Sequence, residues 1–191
     1  PNAFDDVMVQ LAPRLIAAMQ GGDDALLRLV IEIFEEQGFA VRGAHEIDSS
    51  LTASVGVLAG APLTEQTQSD ADRAIDILNA LGPLDVGQGV VVENGLCLGI
   101  ETLQGTDALL GFVASTAKHM RKNGGVFVKA PKRGQDLRID MPTIGPETVR
   151  AVASSGLSAI LLSAGNVIVL EQDETIRLAE ASGISLIAQD I

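Results

Sequence analysis

PETVRAVASSGLSAILLSAGNVIVLEQDETIRLAEASGISLIA, residues Pro146 to Ala188, changes its hydrophobic period repeatedly along its length. Apolar residues at helical spacing predict a helix over Pro146–Ser155. Continuous apolar runs then predict strands over Ser158–Ser163 and Val167–Leu170. A second helix is expected over Asp173–Ser182 and a strand over Ile184–Ala188. Helices alternating with short apolar strands argue for an α/β or α+β layered fold. Upstream, Gly89–Val92 and Leu96–Glu101 read as strands joined by Glu93-Asn94-Gly95, and Asn-Gly is a strong hairpin signal. A hairpin supplies an antiparallel pair, so the expectation is a mixed sheet with flanking helices. Val126–Ala130 adds a further strand, with Lys129 and Lys132 at its exit.

The remaining helices are expected at Val7–Met19, Asp23–Gln37, Ser69–Leu81 with Ser69 as cap, and Asp107–Thr116 with Thr106 as cap. Phe39–Ala44 reads as a short strand, and Thr52–Pro62 as a loop with a little strand.

With 191 residues, 47% of them apolar, the chain is long enough for one large domain, or one with a small appendage. Its core must be aliphatic, because there is no Trp or Tyr and only five Phe. That scarcity argues against modules that stack bases on aromatics. The 25 acidic against 13 basic residues, a net charge of −12, argue against nucleic acid as a partner as well. The single cysteine, Cys97, excludes an intramolecular disulfide and fits a reducing compartment. Lying within Leu96-Cys97-Leu98, it is expected to be a buried, inert thiol. No stretch approaches the run of about 20 apolar residues that spans a bilayer. The opening Pro1-Asn2-Ala3-Phe4-Asp5-Asp6 carries neither initiator Met nor signal peptide and reads as the interior of a longer chain.

The densest chemistry lies in GQDLRIDMPTIGPET, Gly134–Thr148. If Gln135–Met141 is extended, Asp136, Arg138 and Asp140 share one face, while Leu137, Ile139 and Met141 take the other. Pro142 would end the strand, and Gly145-Pro146 would open a helix with Glu147 in its first turn. Such a face can hold a divalent cation and a phosphate side by side. It can equally be an edge strand whose charges pair with one another.

Four further polar corners punctuate apolar elements: Gly21–Arg28, Gly43–Glu46, Asp85–Gly89, and Glu101 with Gly105-Thr106-Asp107. The first also reads as a helix cap, the third as a turn. His45 has no second histidine at ligand spacing, which makes the second weak as a metal site. Capping accounts for Thr106 but not for Glu101. The carboxylates, together with Lys129, Lys132 and Arg138, suggest a site for phosphate and a hard cation such as Mg²⁺ or Mn²⁺.

The ordered set GDDALLR (Gly22–Arg28), GAHE (Gly43–Glu46), DVGQ (Asp85–Gln88), QGTDALL (Gln104–Leu110), VKAPKRGQDLRIDMPTIGP (Val128–Pro146) and AGNVIVLEQDETIRLAEASG (Ala164–Gly183) resembles one family. It is that of the LpxI-type UDP-2,3-diacylglucosamine pyrophosphatases, which lack the metallophosphoesterase motif. The resemblance runs from about Gln20 to Ile187. It implies Mg²⁺-dependent hydrolysis of UDP-2,3-diacylglucosamine to UMP and 2,3-diacylglucosamine 1-phosphate in lipid A biosynthesis. It further implies a cytoplasmic homodimer in peripheral contact with the inner membrane.

The family's essential aspartate maps onto Asp140, as metal ligand or as the group that orients water. The resemblance makes Lys129, Lys132, Arg138 and Thr106 candidates for the diphosphate, and Gln135, Asp136 and Thr143 candidates for supporting contacts. Asp140, Asp107 and Glu101 are the candidate metal ligands. Family members also carry an N-terminal domain, expected here to be largely missing. Residues 1–20 would be its remnant or a linker, and 21–191 the catalytic C-terminal domain. From a different class, the alternative is a non-catalytic nucleotide- or lipid-phosphate-binding module.

Overall fold

Val126, Val128, Leu161 and Ile187 point to one side of a sheet, and Phe127, Ile160, Leu162 and Leu186 to the other. All of these are buried, so both faces of the sheet must be covered. The computed structural model, which describes residues 5–21, 23–122 and 124–191, supplies that cover. Its six-stranded sheet has three parallel central strands, β4 (Val126–Lys129), β6 (Ala159–Ser163) and β8 (Ser185–Gln189). Antiparallel strands flank them: β1 (Gly56–Ala59) on β8, and β2 (Gly89–Glu93) followed by β3 (Leu96–Ile100) on β4. α4 (Glu65–Leu81) lies on one face through Ala71, Ala74 and Leu78. α5 (Gly105–Ala114), α6 (Pro146–Ser154) and α7 (Gln172–Ala181) cover the other.

A small parallel pair, β5 (Thr143–Ile144) with β7 (Ile168–Val169), lies beside the main sheet. Ahead of all this, α1 (Asp6–Met19) and α2 (Asp23–Glu36) pack on each other, joined by Arg14 to Glu36 at 2.7 Å. The layered α/β architecture with a mixed sheet agrees with the sequence reading.

The differences have local causes. α4 begins four residues earlier than Ser69, because the Thr64 hydroxyl accepts from the Thr67 N–H at 3.2 Å and caps it. Phe39–Ala44 forms no strand. It lies against α2 instead of a strand partner, with the Phe39 N–H bonded to the Phe34 carbonyl at 3.1 Å and the two rings edge to face at 6.3 Å. The one-turn helix α3 (Ala44–Ile47) follows. Cys97 is exposed rather than buried, because β3 is the outermost strand and α5 shields only one of its faces.

One buried charge fixes the hairpin. Asn94 and Gly95 both take positive φ, +49° and +76°, as a two-residue turn of this sequence requires. Their N–H groups point at the carboxylate of Asp70 on α4, at 2.8 and 2.7 Å. Gln66 donates to the same group at 3.1 Å. Replacing Asp70 by Ala strands these donors and is expected to destabilise the fold by about 2–3 kcal/mol. Urea denaturation measures the loss, and accelerated amide exchange at Asn94 and Gly95 locates it.

Candidate active site

Ligands of open α/β sheets lie beyond the carboxyl ends of the parallel strands. Here that edge is where β4 runs out at Lys129 and the chain continues through Ala130-Pro131-Lys132. The segment leading to β5 is not the expected strand. Residues 131–141 form a looped excursion, and the Asp-x-Arg-x-Asp set is divided between two tasks. Asp136 and Arg138 turn toward α2. The guanidinium grips Asp136 with Nε–Oδ1 at 3.0 Å and Nη2–Oδ2 at 2.6 Å, and reaches Glu35 at 2.8 Å. From α2, Arg28 donates to the Gly134 carbonyl while pairing with Asp24. The pairing alternative read from the sequence is therefore what Asp136 and Arg138 adopt, as a clamp on a helix rather than on an edge strand.

The Arg138 hydrogen bonds hold the Asp136 carboxyl below the usual carboxylate range. A depressed native value stabilises the fold above the unfolded pKa of about 3.9, and that contribution is lost as pH falls through the native value. Asp136→Asn is therefore expected to flatten the loss of stability below about pH 4. Urea titrations of both proteins from neutral pH to pH 3 compare the slopes.

Asp140 turns the other way, into a cleft of about 440 Å³ that it shares with Asp85, Gln88, Glu101 and Lys132. Lys132 Nζ pairs with Asp85. The Asp140 carboxylate accepts through Oδ2 from Gln135 Nε2 at 2.6 Å, and its backbone carbonyl accepts from the same nitrogen at 3.0 Å. Among the described residues its Oδ1 has neither an ion pair nor a hydrogen bond.

Under the cleft, Lys129 is 3% exposed and gives its ammonium to Glu101 Oε1 at 2.9 Å, Glu101 Oε2 at 2.7 Å and Thr106 Oγ1 at 2.8 Å. Three donors meet three protein acceptors, which leaves none for a phosphate. The Thr106 hydroxyl in turn donates to Glu101 at 3.1 Å, so it does not cap α5. Gly89 permits the packing: a Cβ there would lie 2.5 Å from Glu101 Oε2 and 2.7 Å from the Phe127 ring.

Of the expected phosphate ligands, Lys132 alone lines the cleft with Asp140, while Lys129 and Thr106 are bonded to Glu101 and to each other and Arg138 holds α2. Gln135 reaches Asp140 as a supporting contact should. Thr143 instead bonds its own loop, at the Met141 carbonyl. The expected metal trio is not assembled. Asp107 is exposed on α5 away from the cleft, and Glu101 is neutralised by Lys129. Among the described residues no three His, Cys, Asp or Glu side chains converge on one cation position. Gln88 and Asp85 line the cleft too, from the Asp85–Gly89 corner, which the sequence marks as polar without giving either residue a role and which also reads as a plain turn. The Gly21–Arg28 corner opens α2, with Gly22 and the Asp23 side chain outside the described residues.

The chain matches two family models, the LpxI N-terminal domain over residues 1–51 and the LpxI C-terminal domain over residues 54–187. It is 39% identical over 186 residues to the UDP-2,3-diacylglucosamine pyrophosphatase LpxI of Caulobacter vibrioides. That alignment takes in 95% of this chain and 66% of the relative, just under two thirds of its length. With both domain models matched in order and the C-terminal one covering more than half its length, the chain belongs to the LpxI family.

Proposed function

We propose that the protein hydrolyses the pyrophosphate bond of UDP-2,3-diacylglucosamine, giving UMP and 2,3-diacylglucosamine 1-phosphate in lipid A biosynthesis. The observation that carries this reading is the free Oδ1 of Asp140 in one cleft with Lys132, beyond the end of β4 and between the segments that enter β2 and leave β3. The activity named for the Caulobacter relative gives the substrate class. Water adds across P–O–P: its oxygen bonds one phosphorus, the bridging oxygen leaves with the other, and a proton is released.

Phosphoryl transfer asks chiefly for alignment and neutralised charge. Lys132, screened by Asp85 in the free protein, exchanges that partner for a diphosphate oxygen. Asp140 presents one fixed anionic oxygen, which suits a Mg²⁺ or Mn²⁺ ion whose other ligands are waters and substrate oxygens. Such an ion, when bound, draws charge from the diphosphate. In the free protein Glu101 is paired with Lys129 and Asp107 is exposed on α5, so this reading rests on Asp140 alone among the three candidate ligands.

An apolar groove of about 300 Å³ between Val30, Phe34, Phe39 and Ile139 flanks the same loop and offers an acyl chain the surface it needs. Among the described residues no helix is long and apolar enough to cross a membrane, in keeping with an enzyme that meets its acylated substrate at the membrane surface. A cytoplasmic location and a homodimeric state belong to the same proposal. The test is release of UMP from the acylated UDP-sugar by the natural-length protein, with Mg²⁺ and then with chelator. Mg²⁺-dependent release is expected. Binding of the substrate without release would leave only the phosphate-binding module.

A further inference from the structure

The amide of Gln135 has an orientation that its neighbours dictate. Its Oε1 lies 3.0 Å from the Lys132 backbone nitrogen, which can only donate, and 2.9 Å from Gln88 Nε2. The oxygen is thus fixed on that side, and the NH₂ is forced toward Asp140, where it donates to Oδ2 at 2.6 Å and to the backbone carbonyl at 3.0 Å. One amide therefore closes the 132–135 turn with its acceptor and orients the Asp140 carboxylate with its donor. Nothing else among the described residues hydrogen-bonds that carboxylate. Gln88 reaches in from the loop before β2 and lines the same cleft.

We propose that Gln135 is a positioning residue for Asp140, holding its free oxygen toward the cleft in which the diphosphate reacts, and that Gln88 locks Gln135 in the donating orientation. The proposal rests on the hydrolytic reading above. A glutamine is required at 135, because a carboxylate would repel Oδ2 and an aliphatic chain would release it. At position 88 the requirement is weaker, since the Lys132 N–H alone still sets the flip.

The test uses Gln135→Glu in the natural-length protein. Glutamate keeps both acceptor contacts and so keeps the turn, but it loses the donor to Asp140. Expected are a melting temperature close to that of the parent, KM within about threefold, and kcat lower by about 10²-fold, the scale of a misplaced reacting group. Gln88→Leu should lower kcat less. In an Asp140→Asn background, Gln135→Glu should change the residual kcat by less than about twofold, because its route of action is gone. A parental kcat for Gln135→Glu alongside an inactive Asp140→Asn would overturn the positioning role and leave the hydrolytic reading standing. So would an equal loss from Gln135→Glu in both backgrounds. Failure of the parent protein to release UMP would instead overturn the hydrolytic reading itself.

Discussion

Asp140→Ala is expected to lower turnover of the acylated UDP-sugar by at least about 10²-fold, the scale of a positioned catalytic group, with the fold intact. The fold should tolerate the change because Asp140 is only partly buried and none of its contacts crosses to another core element. Its one carboxylate partner, the Gln135 NH₂, also bonds the Asp140 backbone carbonyl, which alanine keeps. The rate should not tolerate it. Glu101 is occupied by Lys129, and once Lys132 has left Asp85 for the diphosphate nothing among the described residues orients the Asp85 carboxylate as Gln135 orients Asp140, so no other carboxylate lining the cleft is placed to take over. A loss of stability would show in urea denaturation and a loss of chemistry in kcat, and the two are measured separately. Near-parental kcat with unaltered melting would remove Asp140 from the mechanism.

The alternation of Pro146–Ala188 was legible because its two main-sheet strands, β6 and β8, are buried on both faces, and such strands read as short apolar runs. The Asn94-Gly95 turn was legible because its backbone demands those residues. The excursion at 131–141 was not, because what shapes it lies about a hundred positions away in sequence. Glu35, Asp24 and Arg28 of α2 draw Asp136, Arg138 and the Gly134 carbonyl toward them, and no local period records that pull. Cys97 was misread for a related reason. An apolar neighbourhood predicts burial only if the strand is interior, and which strand forms the edge is a property of topology.

The site was legible in part. Asp140, Lys132 and Gln135 came from one motif, and the structure brings them together, whereas Lys129, Thr106 and Glu101 were assigned to ligands and proved to satisfy one another. The Asp85–Gly89 corner was visible but gave Gln88 no role, since a glutamine beside glycines in a turn carries no chemical signal until its partner, Gln135, is known.

Lys129 gives the second large effect, and it separates the two roles a lysine at a strand exit can have. Lys129→Met is expected to destabilise the fold by about 3–5 kcal/mol, because it leaves the Glu101 carboxylate buried without its countercharge. The methionine chain fits the volume of the lysine stem, so the loss comes from charge rather than from a cavity. Thr106 remains as one hydroxyl donor, at 3.1 Å, and cannot replace an ammonium that met both oxygens. Gly89 and Phe127 pack against Glu101, whose side chain is only 11% exposed, so little of the stranded carboxylate meets water.

Removing both charges should restore most of the stability, since a buried pair replaced by apolar groups of similar size is often neutral. Lys129→Met with Glu101→Leu is therefore expected to melt well above Lys129→Met alone. Had Lys129 been a phosphate ligand, the single variant would raise KM for the diphosphate substrate and leave the denaturation midpoint where it was. A denaturation midpoint unchanged by Lys129→Met would show that the buried pair is not what holds β4, Glu101 and α5 together.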